Sequence, residues 1–303
     1  MIKLQRIQNE PILEPRPGNK WEAAAVFNCG VIYDHGLFHM LYRAADRDFA
    51  ALQYDYPPEE LKFTSSLGYA LSTDGVNFKR LDQPIFTGEG PQENWGVEDP
   101  RLSKIEDTYY MLYTGFGGRD WSNHRICMAR SKNLIEWERM GVVLDEPNKD
   151  AALLEQKIAG RYMLFHRRMP DIWVAFSKDL KTWEDHQVIM KPIPGTWESA
   201  KIGIASQPFE IEEGFLLLYH AVDEQKVYRL GAALLDKDDP TKVIARQKEP
   251  ILEPELKWEI SGFVPNVVFS NGHALKENEL YVYYGGADRV IGVAKVNLDE
   301  IKF

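Results

Sequence analysis

The sequence predicts an all-β protein, a five-bladed β-propeller, on three observations. A short aromatic strand recurs five times, a second strand follows each copy, and a segment near the start is repeated near the end. Internal repetition of this kind, with strand periodicity and little helical pattern, is the signature of radially repeated sheets.

The first strand reads LFHMLYR at 37–43, YYMLYT at 109–114, RYMLFHR at 161–167, FLLLYH at 215–220 and LYVYYG at 280–285. Each copy is short, apolar and aromatic, as a buried strand should be, and each follows a turn such as Asp34-His35-Gly36 or Glu212-Glu213-Gly214. Successive copies lie roughly 50 to 70 residues apart, a spacing that suits propeller blades. The second strand reads SLGYALSTDGVNF at 66–78, ICMARSKNLIEW at 126–137, IWVAFSKDLKTW at 172–183, LGAALLD at 230–236 and IGVAKVN at 291–297. In the first three an apolar strand, a serine, a polar turn and an aromatic residue come in that order, which describes a hairpin between the last two strands of a small sheet. The segments QNEPILEP at 8–15 and QKEPILEP at 247–254 match closely. The second leads from blade four into blade five, so residues 2–7 are expected to be an outer strand that completes blade five and closes the ring. The prediction is one propeller domain over 1–303.

The net charge of −10 is offset by no basic run, which argues against a nucleic-acid partner. Two cysteines, Cys29 and Cys127, indicate neither a disulfide framework nor a metal site. The first residues alternate polar and apolar, and no apolar run reaches membrane-spanning length. The expectation is a reduced, soluble, cytoplasmic protein with no membrane partner; a homo-oligomer is left open.

The stretch GVEDPRL at 96–102 stands out, with two adjacent carboxylates before a proline and an arginine. If it is extended, Glu98 and Asp99 point to opposite faces, and Pro100 pushes Asp99 towards that conformation. In a propeller the inner strand ends meet at the central channel. Blade by blade they offer Asn28 and Arg43; Glu98, Asp99 and Arg101; Lys149, Asp150, His166, Arg167 and Arg168; Lys201 and His220; and Asn266, Asp288 and Arg289. Taken singly, all except Asp99 and Arg167 read as a turn, a surface ion pair, a solvated lysine or a core histidine. Together, in so acidic a chain, the cations point to a bound anion. Trp21, Trp95, Tyr113, Trp173, Trp197 and Tyr228 suit the apolar faces of a sugar, although blade packing claims most of them.

With 96–102, the segments NKDA (148–151), FHR (165–167), KIGI (201–204), YHAV (219–222), YRLGAALLD (228–236) and VPNVVF (264–269) resemble glycoside hydrolase family 130, the β-mannoside phosphorylases and related mannosidases. The resemblance covers nearly the whole chain and implies a five-bladed propeller. It implies Asp99 as the general acid, acting through a sugar hydroxyl. It implies Arg167, Lys201, His220 and Lys149 around phosphate, and Asn28, Arg43 and Asp288 around mannose; Arg101 and Tyr113 are taken as further substrate contacts. The chain departs from the family at 204–208 (IASQP), where Gly-Pro-Pro is common, and at Ala221, where glycine is common.

An inverting hydrolase needs a second carboxylate about 6.5–9.5 Å from the acid to activate water. Phosphate is already a nucleophile and needs a cationic cradle instead. Glu198 and Asp223 are the only stand-ins for a base that the sequence suggests. The expectation is inverting phosphorolysis of a β-mannoside to α-mannose 1-phosphate, with phosphate as co-substrate and no metal or organic cofactor. A β-mannosidase and a non-catalytic carbohydrate-binding propeller are the rivals, and the linkage, β-1,2 or β-1,4, is left open.

Overall fold

The computed structural model describes residues 1–48, 64–117 and 122–303. A two-residue strand, β1 (Gln5–Arg6), comes first. Blade one is β2 (Ala25–Asp34), β3 (Leu37–Ala45), β4 (Ser65–Ser72) and β5 (Lys79–Arg80); blade two is β6 (Gly96–Ile105), β7 (Thr108–Phe116), β8 (His124–Ser131) and β9 (Glu138–Leu144). Blade three is β10 (Lys149–Leu153), β11 (Tyr162–Arg168), β12 (Asp171–Ser177) and β13 (Glu184–Met190). In blade four β14 (Lys201–Ile204) and β15 (Phe209–Ile211) are two halves of an inner strand, both paired with β16 (Gly214–Val222), which is followed by β17 (Tyr228–Leu235) and β18 (Val243–Arg246). After a one-turn helix, α1 (Lys257–Ile260), blade five is β19 (Val268–Lys276), β20 (Glu279–Gly286), β21 (Val290–Asn297) and the N-terminal β1. Neighbouring strands within each blade run antiparallel, and a single parallel pair, Ser65 with Gly96, links blades one and two. The five-bladed propeller predicted from the repeats is the architecture observed.

Among the described residues an apolar cluster lies between each pair of neighbouring blades and holds the ring. Phe38, Met40 and Val26 of blade one, for example, meet Tyr283, Ile291 and Val293 of blade five. Ile2 and Leu4 pack into the cluster between blades four and five. β1 pairs with β21, Gln5 opposite Lys295 and Arg6 opposite Ala294. Leu13 bridges Ile291 of β21 as Leu252, its counterpart in the repeated segment, bridges Leu230 of β17. No helix among the described residues is long and apolar enough to cross a membrane.

A second repeat emerges only in three dimensions. A glutamate before the inner strand accepts a hydrogen bond from a tyrosine of the next strand and pairs with an arginine of the outer strand. Tyr42 donates to Glu22 (2.9 Å), Tyr113 to Glu93 (2.6 Å), Tyr219 to Glu198 (2.8 Å) and Tyr284 to Glu259 (2.8 Å). The arginines are Arg80, Arg139, Arg246 and Arg6. Among the described residues four blades carry this staple; in blade three Phe165 stands opposite Val174 at the tyrosine's place. Trp21, Trp197 and Trp258 stack on three of the tyrosines, at 6.1, 6.0 and 5.7 Å between ring centroids. A glycine opposite makes room: a Cβ on Gly68 would stand 2.3 Å from the Tyr42 ring.

Blade five draws its staple arginine from the N-terminus. Glu259 is fully buried, and Arg6 binds both its oxygens, at 2.8 and 2.7 Å. Arg6→Ala strands a buried carboxylate, so it should cost about 3–5 kcal/mol. Tyr284→Phe removes one hydrogen bond to a charged group and should cost about 1.5–3 kcal/mol. Urea melts measure both; an Arg6→Ala chain as stable as the parent would show that the staple does not hold the ring.

Candidate functional site

The inner strands of blades one, two and three each break register at the channel end. Phe27 pairs with Arg43 and Cys29 with Tyr42, leaving Asn28 unmatched. The same shift falls between Glu98 and Arg101, and between Lys149 and Ala152. At these bulges Asn28, Asp99 and Asp150 take φ of 46°, 54° and 58°. Asn and Asp tolerate this left-handed region better than other non-glycine residues, and a bulge re-aims a side chain. The expectation of an extended Asp99 is therefore corrected. The alternation of faces fails at the bulge, and Glu98 and Asp99 grip one guanidinium: Arg43 Nη2 donates to Glu98 Oε1 (2.6 Å) and Nη1 to Asp99 Oδ1 (3.1 Å).

Asn28 Nδ2 adds a third donor to this arrangement, 2.9 Å from Asp99 Oδ1. Arg43 is itself fixed by Ser65 Oγ (2.9 Å) and by the Phe27 ring beneath it. Blade five supplies Asp288 from the tight turn between β20 and β21, where Ala287 and Asp288 have φ of 46° and 53°. From blades three and four come Lys149, Arg167, Lys201 and Tyr228, with Lys201 Nζ 5.2 Å from the centre of the Tyr228 ring. These residues enclose a cavity of about 130 Å³, completed by Asp150, Val264, Val267 and Phe269.

Three of the predicted site residues do not line it. Arg101 is 1% exposed and spends its donors on protein: Nε on the Ala205 carbonyl (2.6 Å), Nη2 on the Ile204 carbonyl (2.9 Å) and Asp150 Oδ1 (3.4 Å), and Nη1 on the Asp99 carbonyl (3.4 Å). It supports the cavity from behind. His220 is fully buried against the Phe269 ring, with Nε2 3.3 Å from Asp150 Oδ2. Tyr113 belongs to the blade-two staple. Its hydroxyl is used there, which removes it from sugar recognition. Of the six aromatics matched to a sugar face, only Tyr228 reaches the cavity. Neither stand-in base lies there: Glu198 is tied to Tyr219 and Arg246, and Asp223 to Arg229 (2.6 Å). The sequence placed Asp150 among the strand ends at the channel but gave it no role. Its signal was an Asn or Asp at the same point of three repeats, just ahead of an inner-strand apolar run.

The model of glycoside hydrolase family 130, described as beta-1,4-mannooligosaccharide phosphorylase, matches residues 3–302. Two proteins of Thermoanaerobacter sp. (strain X514), a 1,2-beta-oligomannan phosphorylase and a beta-1,2-mannobiose phosphorylase, are each 59% identical over 303 residues, 100% of this chain and 100% of theirs. The solved beta-1,2-mannobiose phosphorylase from Listeria innocua, in complex with beta-1,2-mannobiose, superposes with a TM-score of 0.88 at 28% identity over 98% of each chain.

The charges of the cavity are uneven. Burial works against the charge on Asp99, but Arg43, Lys149 and the Asn28 amide outweigh it and hold the carboxyl below its usual range. Burial wins at Glu98 and pushes it up. Burial also lifts Asp288 to about 6, against the pull of Arg43. His220 is lowered to about 4 by burial, despite Asp150, so it is neutral at pH 7. Lys201 is lowered by burial and then by Arg167.

The Asp288 shift is a statement about stability. Its folded value of about 6 lies above its ordinary 3.8, so between those values the folded chain holds a proton that the unfolded chain has lost. That contribution is fully present below the lower value and is lost as pH rises through the upper one. Asp288→Asn should therefore stabilise the protein at pH 8, by at most ~3 kcal/mol because the cavity solvent screens the carboxylate, and should do nothing near pH 3.8. Thermal melts across pH would refute this if the variant gained as much in acid as in alkali.

Proposed function

Since this chain belongs to glycoside hydrolase family 130 and is a β-mannoside phosphorylase, we propose that the bond it cleaves is β-1,2 and that the axial cavity is where phosphate takes the mannosyl group. One observation carries the reading of the cavity. A carboxylate fixed by Arg43 and Asn28 and a separate group of cations, Arg167, Lys201 and Lys149, face the same 130 Å³. The two full-length relatives support the β-1,2 linkage, whereas the family's description names β-1,4.

In this mechanism mannose sits between Asn28, Arg43, Asp99 and Asp288. Asp99 is the acid. The charges around it keep Asp99 ionised, and a sugar that excludes water raises its pKa by the same desolvation that already acts on Glu98 and Asp288. The proton passes to the glycosidic oxygen through a sugar hydroxyl, so the C1–O bond breaks and the acceptor leaves neutral. Phosphate on Arg167, Lys201 and Lys149 forms the new bond to C1 from the opposite face. A β-linked mannoside thus becomes α-mannose 1-phosphate. Preorganised cations supply orientation and charge stabilisation without a base.

Asp99→Asn should keep the fold and sugar binding while losing about 10²–10⁴-fold in kcat. Near-parental kcat, free of contaminating parent enzyme, would remove Asp99 from the acid's role. Phosphorolysis of β-1,2- and β-1,4-mannobiose should favour the first, read as mannose 1-phosphate over a phosphate series. Arg167→Ala should raise KM for phosphate and lower kcat while leaving phosphate-free sugar affinity nearly unchanged. A parent enzyme whose product formation ignores phosphate would end the reading.

A further inference from the structure

Asp150 is an anion standing among the cations of the cradle. Its bulge at φ 58° turns the carboxylate into the cavity wall beside Lys149, Arg167 and Lys201. Only 1% of the side chain is exposed. Oδ2 touches Arg167 Nη1 and lies 3.3 Å from His220 Nε2, and Oδ1 lies 3.4 Å from Arg101 Nη2. The guanidiniums of Arg167 and Arg101 keep Asp150 charged, so it can only accept hydrogen bonds. Close as Oδ2 is to two nitrogens, it receives no well-directed hydrogen bond. A buried acceptor left in this state invites a donor from whatever fills the cavity.

An anion docking on Arg167 meets this carboxylate on the same guanidinium. A fully deprotonated anion is repelled by it, whereas an anion carrying an O–H turns the repulsion into a charge-assisted hydrogen bond. Near neutral pH inorganic phosphate and arsenate keep at least one proton, and sulfate keeps none. We propose that Asp150 is the specificity-determining residue that makes the cradle accept a proton-bearing tetrahedral anion, phosphate or arsenate, and refuse sulfate. The inference rests on the phosphate reading of the cavity. One phosphate oxygen gives its hydrogen to Asp150 Oδ2, and the deprotonated oxygens face Arg167, Lys201, Lys149 and the sugar.

The test is phosphorolysis over a phosphate series at constant ionic strength, with sulfate as competitor, for the parent, Asp150→Asn and Arg167→Ala. In the parent the sulfate inhibition constant should exceed KM for phosphate by about tenfold or more, the scale of one hydrogen bond to a charged group. In Asp150→Asn the ratio should collapse towards one, because the amide can donate to sulfate; a residue that merely holds the fold would weaken both anions alike. Arsenate should replace phosphate in the parent. Sulfate competing on equal terms in the parent overturns the inference even if Asp150→Asn fails to fold, and so does an unchanged ratio in a folded Asp150→Asn. Arg167→Ala separates the two failures. If it leaves KM for phosphate unchanged, the cradle itself is lost; if it raises KM while the ratio ignores Asp150, only the selectivity is lost.

Discussion

The buried guanidinium of Arg101 is the constraint on which the site depends. It comes from blade two, takes two backbone carbonyls of blade four, reaches Asp150 of blade three and lies 6.0 Å from the Phe269 ring of blade five. A charge so deeply buried costs several kcal/mol unless every donor is used, and here donors reach three blades. The interruption between β14 and β15 follows from it: Ile204 and Ala205 turn their carbonyls to Arg101, where the sequence departs from the family's usual run. Asp99 and Asp150 are thereby set at a fixed relation through one rigid group. Asp99 and Asp150 line one cavity, and both lie against Arg101.

Bulges turn this scaffold into a site. A regular inner strand would send alternate side chains into the blade interfaces, where Val26, Val97 and Ala152 already sit. One additional residue in the left-handed region frees Asn28, Asp99 and Asp150 from that alternation. The strain is local, in strands paired with the next strand of their blade, and it falls on the residue types that bear it best.

The propeller was legible in the sequence because its repeat is local: strand, turn, strand, written five times. Most of the site was legible too, since the ends of inner strands must converge. Depth was not. Arg101 and Arg43 look alike as arginines near strand ends, and only the packed structure shows one buried behind the wall and the other in it. His220 and Tyr113 were misplaced for the same reason. The Tyr–Glu–Arg staples escaped notice because their members lie on three separate segments, up to 278 residues apart between Arg6 and Tyr284. The face reading of Glu98 and Asp99 failed because period-two alternation assumes a regular strand.

The closure of the ring sets the order in which the chain can be finished during synthesis. β1 is made well before its partner, β21, which the whole of the other four blades precedes. Until then the N-terminal strand has no seat, and blade five has no outer edge. Blade four, made earlier, has a similar edge on β17, for 8–15 and 247–254 share the run EPILEP. The copies differ in spacing. Four positions separate Arg6 from Glu10, but three separate Arg246 from Glu249. Both spacings nonetheless seat the arginine and the leucine on partner residues three apart, Ala294 and Ile291 of β21 or Ala233 and Leu230 of β17, so the loop between them absorbs the additional residue. What closes blade four is its own β18, which directly follows β17 in the chain and pairs with it.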